Sequence, residues 1–264
     1  MAGIWHDLVR WPLTSATVAV CFVLWVWHWN SRSDLARVAS SYRRIVIEKQ
    51  VWRCITSTYS HGSVLHLAFN MSMAWSQGQQ FESQIGTVEF ARVTTLFIVV
   101  SSCLSLGATW LLVHRMNQPG AADKQSVGYS AVLFAWYTAG SMQDPWTTLY
   151  FLGIVPTPRI VVPILALLFT QLLIANASFV GHLSGIVAGL LFGLDLFSWF
   201  TTYFFLCSLT WIVIGMSWSV KTTTNLPVPF LVMLDNTGHD VVHGVVIRRT
   251  RTPGVDRFDE VTIV

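Results

Sequence analysis

Charge is what this sequence has least of. Only 11% of its 264 residues are Asp, Glu, Lys or Arg, against about 25% in an ordinary soluble domain, while 53% are hydrophobic. Between residues 160 and 194 there is no Asp, Glu, Lys or Arg. That shortage excludes a soluble globular chain and points to a membrane protein. The formal charge of +3 is small and dispersed. No basic stripe with interleaved aromatics is present, so no nucleic-acid partner is expected. Cysteine is also scarce. Cys21, Cys54, Cys103 and Cys207 have no metal-ligand spacing; three lie in apolar runs, as packing thiols do. Repeats and low-complexity tracts are not apparent. Neither is a cleavable signal peptide. The first apolar run, from residue 11, is about 20 residues long, too long for a signal core, and lacks a small-residue cleavage site.

What is present is a series of apolar runs, and a membrane helix needs roughly 20 mostly apolar residues. The runs predict spans over residues 11–31, 64–80, 93–113, 126–142, 160–175 and 179–197, and 200–218 is long enough for a seventh. The first ends in WVWHWN, an aromatic cluster suited to the membrane interface. Residues 32–53 are polar and hold six Lys or Arg. Residues 114–126 read as a loop from their Pro-Gly and charges, and the stretch after residue 142 reads as a loop with three prolines. The tail from 221 is polar and contains DVVHGVVIRR, which suits a short strand. The fold class expected is an all-α polytopic membrane protein.

Ionisable and polar groups inside such runs are functional candidates because burying them costs several kcal/mol. Even-numbered spans enter the membrane from one side. His66, Ser130 and His182 each lie near the start of such a span, so all three fall at similar depth. At about 1.5 Å rise per residue that depth is roughly 5–10 Å. In VGYSAVLF, Gly128 precedes Ser130 by two residues. A serine in a first helical turn lies beside N–H groups with no intrahelical partner, which can receive an oxyanion, and the glycine allows close backbone approach. A serine there can equally be a plain helix cap. In HLAFN, His66 and Asn70 are four apart and share a helix face. Both can donate into a cavity, or simply to another helix. A neutral His182 suits a base that takes the proton of Ser130. Structural and metal-ligand roles are also open to it, although no carboxylate or cysteine accompanies the histidines at ligand spacing. Gly185 and Gly189 let a neighbouring helix come close. If that helix carries Ser130, the serine and His182 meet.

Over residues 50 to 195 the sequence resembles the rhomboid intramembrane serine proteases. Trp52-Arg53, His61, His66 and Asn70 match the family's first loop and second helix. FESQIG matches its Glu-x-x-x-Gly at Glu82 and Gly86. GYSAVLF matches the Gly-x-Ser nucleophile motif at Ser130, and GHLSGIVAG matches the final-helix His-x-x-Gly-x-x-x-Gly at His182, Gly185 and Gly189. SVGYSAVLFA and SFVGHLSGIVAGL look most like the endoplasmic-reticulum, rhomboid-domain-containing branch. The resemblance implies a six-helix core over 1–198, an additional transmembrane helix at 199–219 and a polar tail at 220–264. It implies Ser130 as nucleophile and His182 as general base and then acid. His66, Asn70 and the Ser130 N–H would hold the oxyanion, with Gly128 shaping the hole. His61, Trp52, Arg53 and Glu82 would organise the first loop and second helix. No third carboxylate, cofactor or metal is implied. Substrates would be single-pass membrane-anchored proteins, cut within or beside the lipid bilayer of the endoplasmic reticulum or another endomembrane. Water would come through a cavity open to the non-cytosolic face.

Three features depart from the pattern. Phe134 stands one turn after Ser130, where many rhomboids carry tyrosine; it can stack on the histidine but lacks the hydroxyl. The seventh span changes the side of the tail. The side assigned away from the cytosol holds eight Lys or Arg in its loops, the other three before the tail, an imbalance that runs against the positive-inside rule. Two other functions compete. A non-catalytic relative that binds membrane clients for degradation would lack the serine or histidine, or carry proline at 129, which is Tyr129 here. A transporter with His66, Asn70 and His182 along a path would show paired half-helices or an internal repeat.

Overall fold

A computed structural model of the chain describes residues 8–31, 34–151, 153–174, 177–224, 239–242, 245–248 and 261–263. Packing divides the chain into two units, Met1–Leu209 and Thr210–Val264. The described helices of the first unit are α1 (Pro12–Ser31), a short α2 (Arg53–Tyr59), α3 (Val64–Ile85), α4 (Thr87–His114), α5 (Ser130–Gln143), α6 (Val162–Leu173) and α7 (Phe179–Gly193). The last, α8 (Thr202–Thr223), begins in the first unit and ends in the second. α1, α4 and α8 are each long and apolar enough to cross a membrane. The chain is thus a multi-spanning membrane protein with a helical core.

α5 is the centre of that core. It is buried on nearly every side, from Val132 to Ser141, as expected of a helix apolar all round. Trp136 sits in an aromatic cage, its ring 4.7 Å from Phe81, 4.8 Å from Phe90 and 5.1 Å from Phe97. Its indole N–H donates to Thr94 Oγ1 at 3.1 Å, so the polar atom of the cage is satisfied. α7 and α4 pack along α5, and α1 packs along α3.

The α1–α3 contact rests on Glu82. Its buried carboxylate accepts from Leu13 N (3.0 Å), Thr14 N (2.9 Å), Thr14 Oγ1 (2.7 Å) and Thr87 Oγ1 (2.8 Å). α1 opens on Pro12, which has no N–H to satisfy, and Glu82 supplies the acceptors that the next residues need. Nearby, a Cβ on Gly78 would lie 2.4 Å from Thr14 Oγ1, so only glycine lets α1 come this close. Gly86, at φ +81°, turns the chain from α3 directly into α4.

Three expected spans are shorter than the runs suggested. α5, α6 and α7 have 14, 12 and 15 residues, roughly 18–23 Å of helix against about 30 Å of hydrocarbon. The run at 126–142 becomes helical only at Ser130. Before it, Ser40 and Ser126 exchange backbone hydrogen bonds at 3.0 and 2.9 Å, and Gly128 N donates to Ser57 O at 2.9 Å. These bonds to the first loop satisfy the backbone without a helix, as non-helical chain at membrane depth requires. Residues 194–199 leave α7 as turns.

The proline-rich loop is not wholly irregular. It holds an antiparallel hairpin, β1 (Thr148–Phe151) with β2 (Val155–Pro158). The strand expected in DVVHGVVIRR is two strands, β3 (His239–Val242) and β4 (Val245–Arg248). With β5 (Val261–Ile263) they form an antiparallel sheet of order β3-β4-β5 in the second unit.

Candidate active site

Helix caps fix two of the three polar residues at the starts of their helices, and the third opens its helix. Ser63 Oγ accepts from His66 N at 3.1 Å, which seats His66 in the first turn of α3. Ser178 Oγ accepts from Gly181 N at 3.1 Å, and His182 follows in the first turn of α7. Both are N-caps of the preferred residue type. Ser130 is the first residue of α5, so its N–H belongs to the helix terminus, where no intrahelical acceptor exists.

A glycine seam then brings α7 onto α5. A Cβ on Gly185 would lie 2.1 Å from Ala131 O, and one on Gly189 would lie 2.3 Å from Ala135 O. Both clashes are with backbone, so no side-chain rotation relieves them. Gly193 extends the seam, where a Cβ would meet Met142 at 2.6 Å. At the end of the seam Ser130 Oγ and His182 Nε2 are 2.7 Å apart. That hydroxyl can donate to Nε2 when the ring proton is on Nδ1. Among the described residues His182 Nδ1 is buried and has no hydrogen-bond partner, so no carboxylate among them orients the ring. The ring of Phe134 lies 4.8 Å away at 35° instead. The serine is half-buried and the histidine buried.

Gly128 completes the group. Its φ of +123° is one that residues with a Cβ rarely adopt. A Cβ placed there would lie 2.8 Å from His66 Cε1 and Nε2 and 3.8 Å from Ser130 Oγ. The missing methyl therefore lets the His66 ring close onto Gly128, beside the serine hydroxyl. Asn70, one turn on from His66 and buried, donates through Nδ2 to His66 O at 2.8 Å, while its Oδ1 has no partner among the described residues. His61 is buried behind His66, the rings 5.1 Å apart and edge-on. Burial first, and His66 second, push the His61 imidazole down to about 4, so it is neutral in ordinary conditions.

The structure thus brings Ser130, His182, His66, Gly128, Phe134, Asn70, Gly185 and Gly189 together, with His61 behind them. The other expected residues lie elsewhere. Glu82 and Gly86 are at the far end of α3, roughly 25 Å of helix rise from His66, where Glu82 caps α1 and Gly86 turns the chain. Arg53 is buried in the first loop. Its guanidinium stacks on Trp52 at 4.7 Å and donates at 2.8 Å to both Ala36 O and Ala39 O. Arg43 pairs with Asp123, whose carboxyl it holds below the usual range through their hydrogen bond, and Arg44 pairs with Glu48. Three of the six basic residues in that loop are therefore engaged within the protein, which weakens the imbalance read from the bare count.

Sequence reasoning passed over Thr14, Gly78, Ser57 and Gly193. Only Gly193 carried a signal, as the next member of the four-residue glycine series 181, 185, 189. The resemblance implied a water-bearing cavity, and one of ≈ 670 Å³ reaches Gly128 and Ala131; its lining was not foreseen. Hydroxyls line it densely, among them Ser57, Ser126 and a row on α4 at Ser101, Ser105 and Thr109.

Comparison with known proteins places these features in a family. Residues 48–199 match the rhomboid domain model. The chain is 28% identical over 205 residues to Rhomboid-like protein 15 of Arabidopsis thaliana, covering 74% of this chain and 49% of that protein. It is 31% identical over 183 residues to Rhomboid-related protein 4 of Homo sapiens, covering 69% and 56%. It is 30% identical over 169 residues to Rhomboid-type serine protease 2 of Saccharomyces cerevisiae, covering 64% and 61%. The chain spans about half the length of the first two relatives.

Proposed function

The chain belongs to the rhomboid family, and on that footing we propose that it is an intramembrane serine endopeptidase acting through a Ser130–His182 dyad. The observation that carries the reading is the 2.7 Å contact between Ser130 Oγ and His182 Nε2 at the end of a seam that only glycine permits. Ser130 Oγ attacks the peptide carbonyl as its proton passes to Nε2. The tetrahedral oxyanion forms beside Gly128, with the Ser130 N–H, His66 Nε2 and the second N–H of Asn70 as its donors. Fixed donors of this kind act most strongly where water is excluded. His182 then returns the proton to the leaving amine, and water hydrolyses the acyl-enzyme with His182 again as base. The hydroxyl-lined cavity beside Gly128 is polar and roomy enough to hold that water inside an apolar protein. With no acid on Nδ1, the Phe134 ring takes over the task of holding the imidazole.

In this reading the core over 1–198 has six spans, α8 (199–219 from the sequence) adds a seventh, and 220–264 is a tail. His61, Trp52 and Arg53 secure the first loop, and Glu82, Gly86, Gly185 and Gly189 set the helix packing. Substrates are single-pass membrane-anchored proteins. The likeness of SVGYSAVLFA and SFVGHLSGIVAGL to the endoplasmic-reticulum branch supports an endomembrane location. The test is cleavage of a single-pass substrate co-reconstituted in vesicles. Wild type should release a product that Ser130→Ala and His182→Ala do not. Binding without cleavage by the wild type would instead identify a client-binding relative.

A further inference from the structure

Residues 145–158, between α5 and α6, contain no charged side chain. They follow the end of α5 opposite to Ser130. The β1–β2 register pairs Thr148 with Pro158, Leu149 with Thr157, Tyr150 with Pro156 and Phe151 with Val155. Proline cannot donate, so the ladder bonds fall on the alternate pairs. The neighbouring bond, Arg159 N to Thr147 O at 2.9 Å, is in that phase. At Pro156 and Pro158 the N–H that would point outward from β2 does not exist. The outer edge of this strand therefore has no donor that needs water.

The two faces of the hairpin differ in what they meet. Phe151 packs edge-on against Phe169 of α6, ring centroids 6.1 Å apart, and Thr157 is buried. Phe169 is seven residues into α6, roughly 10 Å of rise, so the hairpin lies back along α6. On the other face and at the turn, Trp146 is 78% exposed, Tyr150 67% and Ile154 78%. A hairpin with one face in water alternates apolar and polar residues. This one presents aromatics and prolines outward instead. α6 likewise exposes Ile164, Leu168 and Leu172 at helical spacing. The outward N–H groups of Thr148 and Tyr150 on β1 do need acceptors, which places the element at the headgroup boundary rather than in the hydrocarbon.

We propose that the β1–β2 hairpin is an interfacial anchor, seated in the headgroup–acyl boundary on the side of the bilayer opposite to the dyad. Trp146, Tyr150 and Ile154 face the lipid. Tryptophan and tyrosine are enriched at this depth. Because 145–158 is uncharged, the element recognises the interface of any bilayer and does not depend on anionic lipid.

The test uses the full chain with an environment-sensitive dye on Ile154→Cys, Cys103 and Cys207 being replaced by serine. The chain is reconstituted in phosphatidylcholine vesicles with and without phosphatidylserine. The expected result is blue-shifted emission in both, quenched about twofold or more strongly by lipids spin-labelled near the headgroup than near the chain end. Aqueous iodide should quench it less than the same dye on Met116→Cys, an exposed loop position. Iodide quenching equal to the Met116 position would overturn the proposal, as would shielding from both quenchers or a blue shift confined to anionic vesicles. Hydrogen exchange of the unsubstituted chain gives a dye-free readout: residues 146–158 should exchange more slowly in vesicles than after dilution into a short-chain detergent. Equal exchange would count against the anchor.

Discussion

Two helix pairs in this molecule are built from the same parts and end differently. In α1–α3, Gly78 admits Thr14, and Glu82 bridges the helices. In α5–α7, Gly185, Gly189 and Gly193 admit the α5 backbone and Met142, and Ser130–His182 bridges the helices. The first bridge is saturated, since the Glu82 carboxylate takes four hydrogen bonds. The second is not. Among the described residues His182 Nδ1 and Asn70 Oδ1 are buried without partners, and the Ser130 hydroxyl is half-buried beside Gly128 and the His66 ring. A saturated buried polar group holds structure, whereas one left with spare capacity is available to a reacting substrate.

If that distinction is right, the two bridges should fail in different ways. The largest effect is expected at Gly185. Gly185→Leu places side-chain atoms where Ala131 O already sits. Moving the dyad by even about 1 Å can cost roughly 100-fold in rate, and overpacking destabilises by about 1–3 kcal/mol. Cleavage should fall by about that factor or more, together with the melting temperature. Full activity in a folded Gly185→Leu protein would show that the seam does not set the distance.

Glu82→Ala should do the converse. Losing a buried acceptor of several hydrogen bonds should cost about 2–4 kcal/mol of stability, while kcat per folded molecule stays near wild type. A drop in kcat with unchanged melting would remove the contrast between the bridges. Phe134→Leu is smaller, with an expected loss of roughly tenfold in kcat from a less restrained imidazole. Phe134→Tyr, which keeps the ring, should restore the rate.

Acidity sharpens the comparison further. A general base works only when neutral, so cleavage should fall about tenfold per pH unit below the His182 pKa and level off above it. His61, held at about 4 by burial and its His66 neighbour, does not titrate between about pH 5 and 8. A descending limb in that range abolished by His61→Gln would therefore contradict its assignment to the dyad, and one that survives that change belongs to another imidazole of the site.

Most of the unsaturated bridge was legible in the sequence, because it depends on local signals. Ser130, His66 and His182 sit just after helix starts within apolar runs, and glycines recur every four residues after His182. The saturated bridge was legible only as a motif. Nothing local says that Glu82 caps a helix 68 residues earlier, or that Gly78 faces Thr14. Helix ends were misjudged for a related reason. Residues 126–129 are apolar enough to extend α5, but backbone bonds from Ser126 to Ser40 and from Gly128 to Ser57 keep them out of the helix. The hairpin was hidden because three prolines signal a loop. The pairing partners that make two of them edge residues appear only once the strands are set side by side.

The central claim is that Ser130 is a nucleophile activated by His182. A fluorophosphonate probe applied to the detergent-solubilised protein tests it most directly, because the probe reports the activated hydroxyl without needing a substrate. Wild type should be labelled covalently, Ser130→Ala should not, and His182→Ala should react far more slowly while remaining folded. Labelling of Ser130→Ala at the wild-type rate, or a folded wild type that resists the probe, would contradict the dyad.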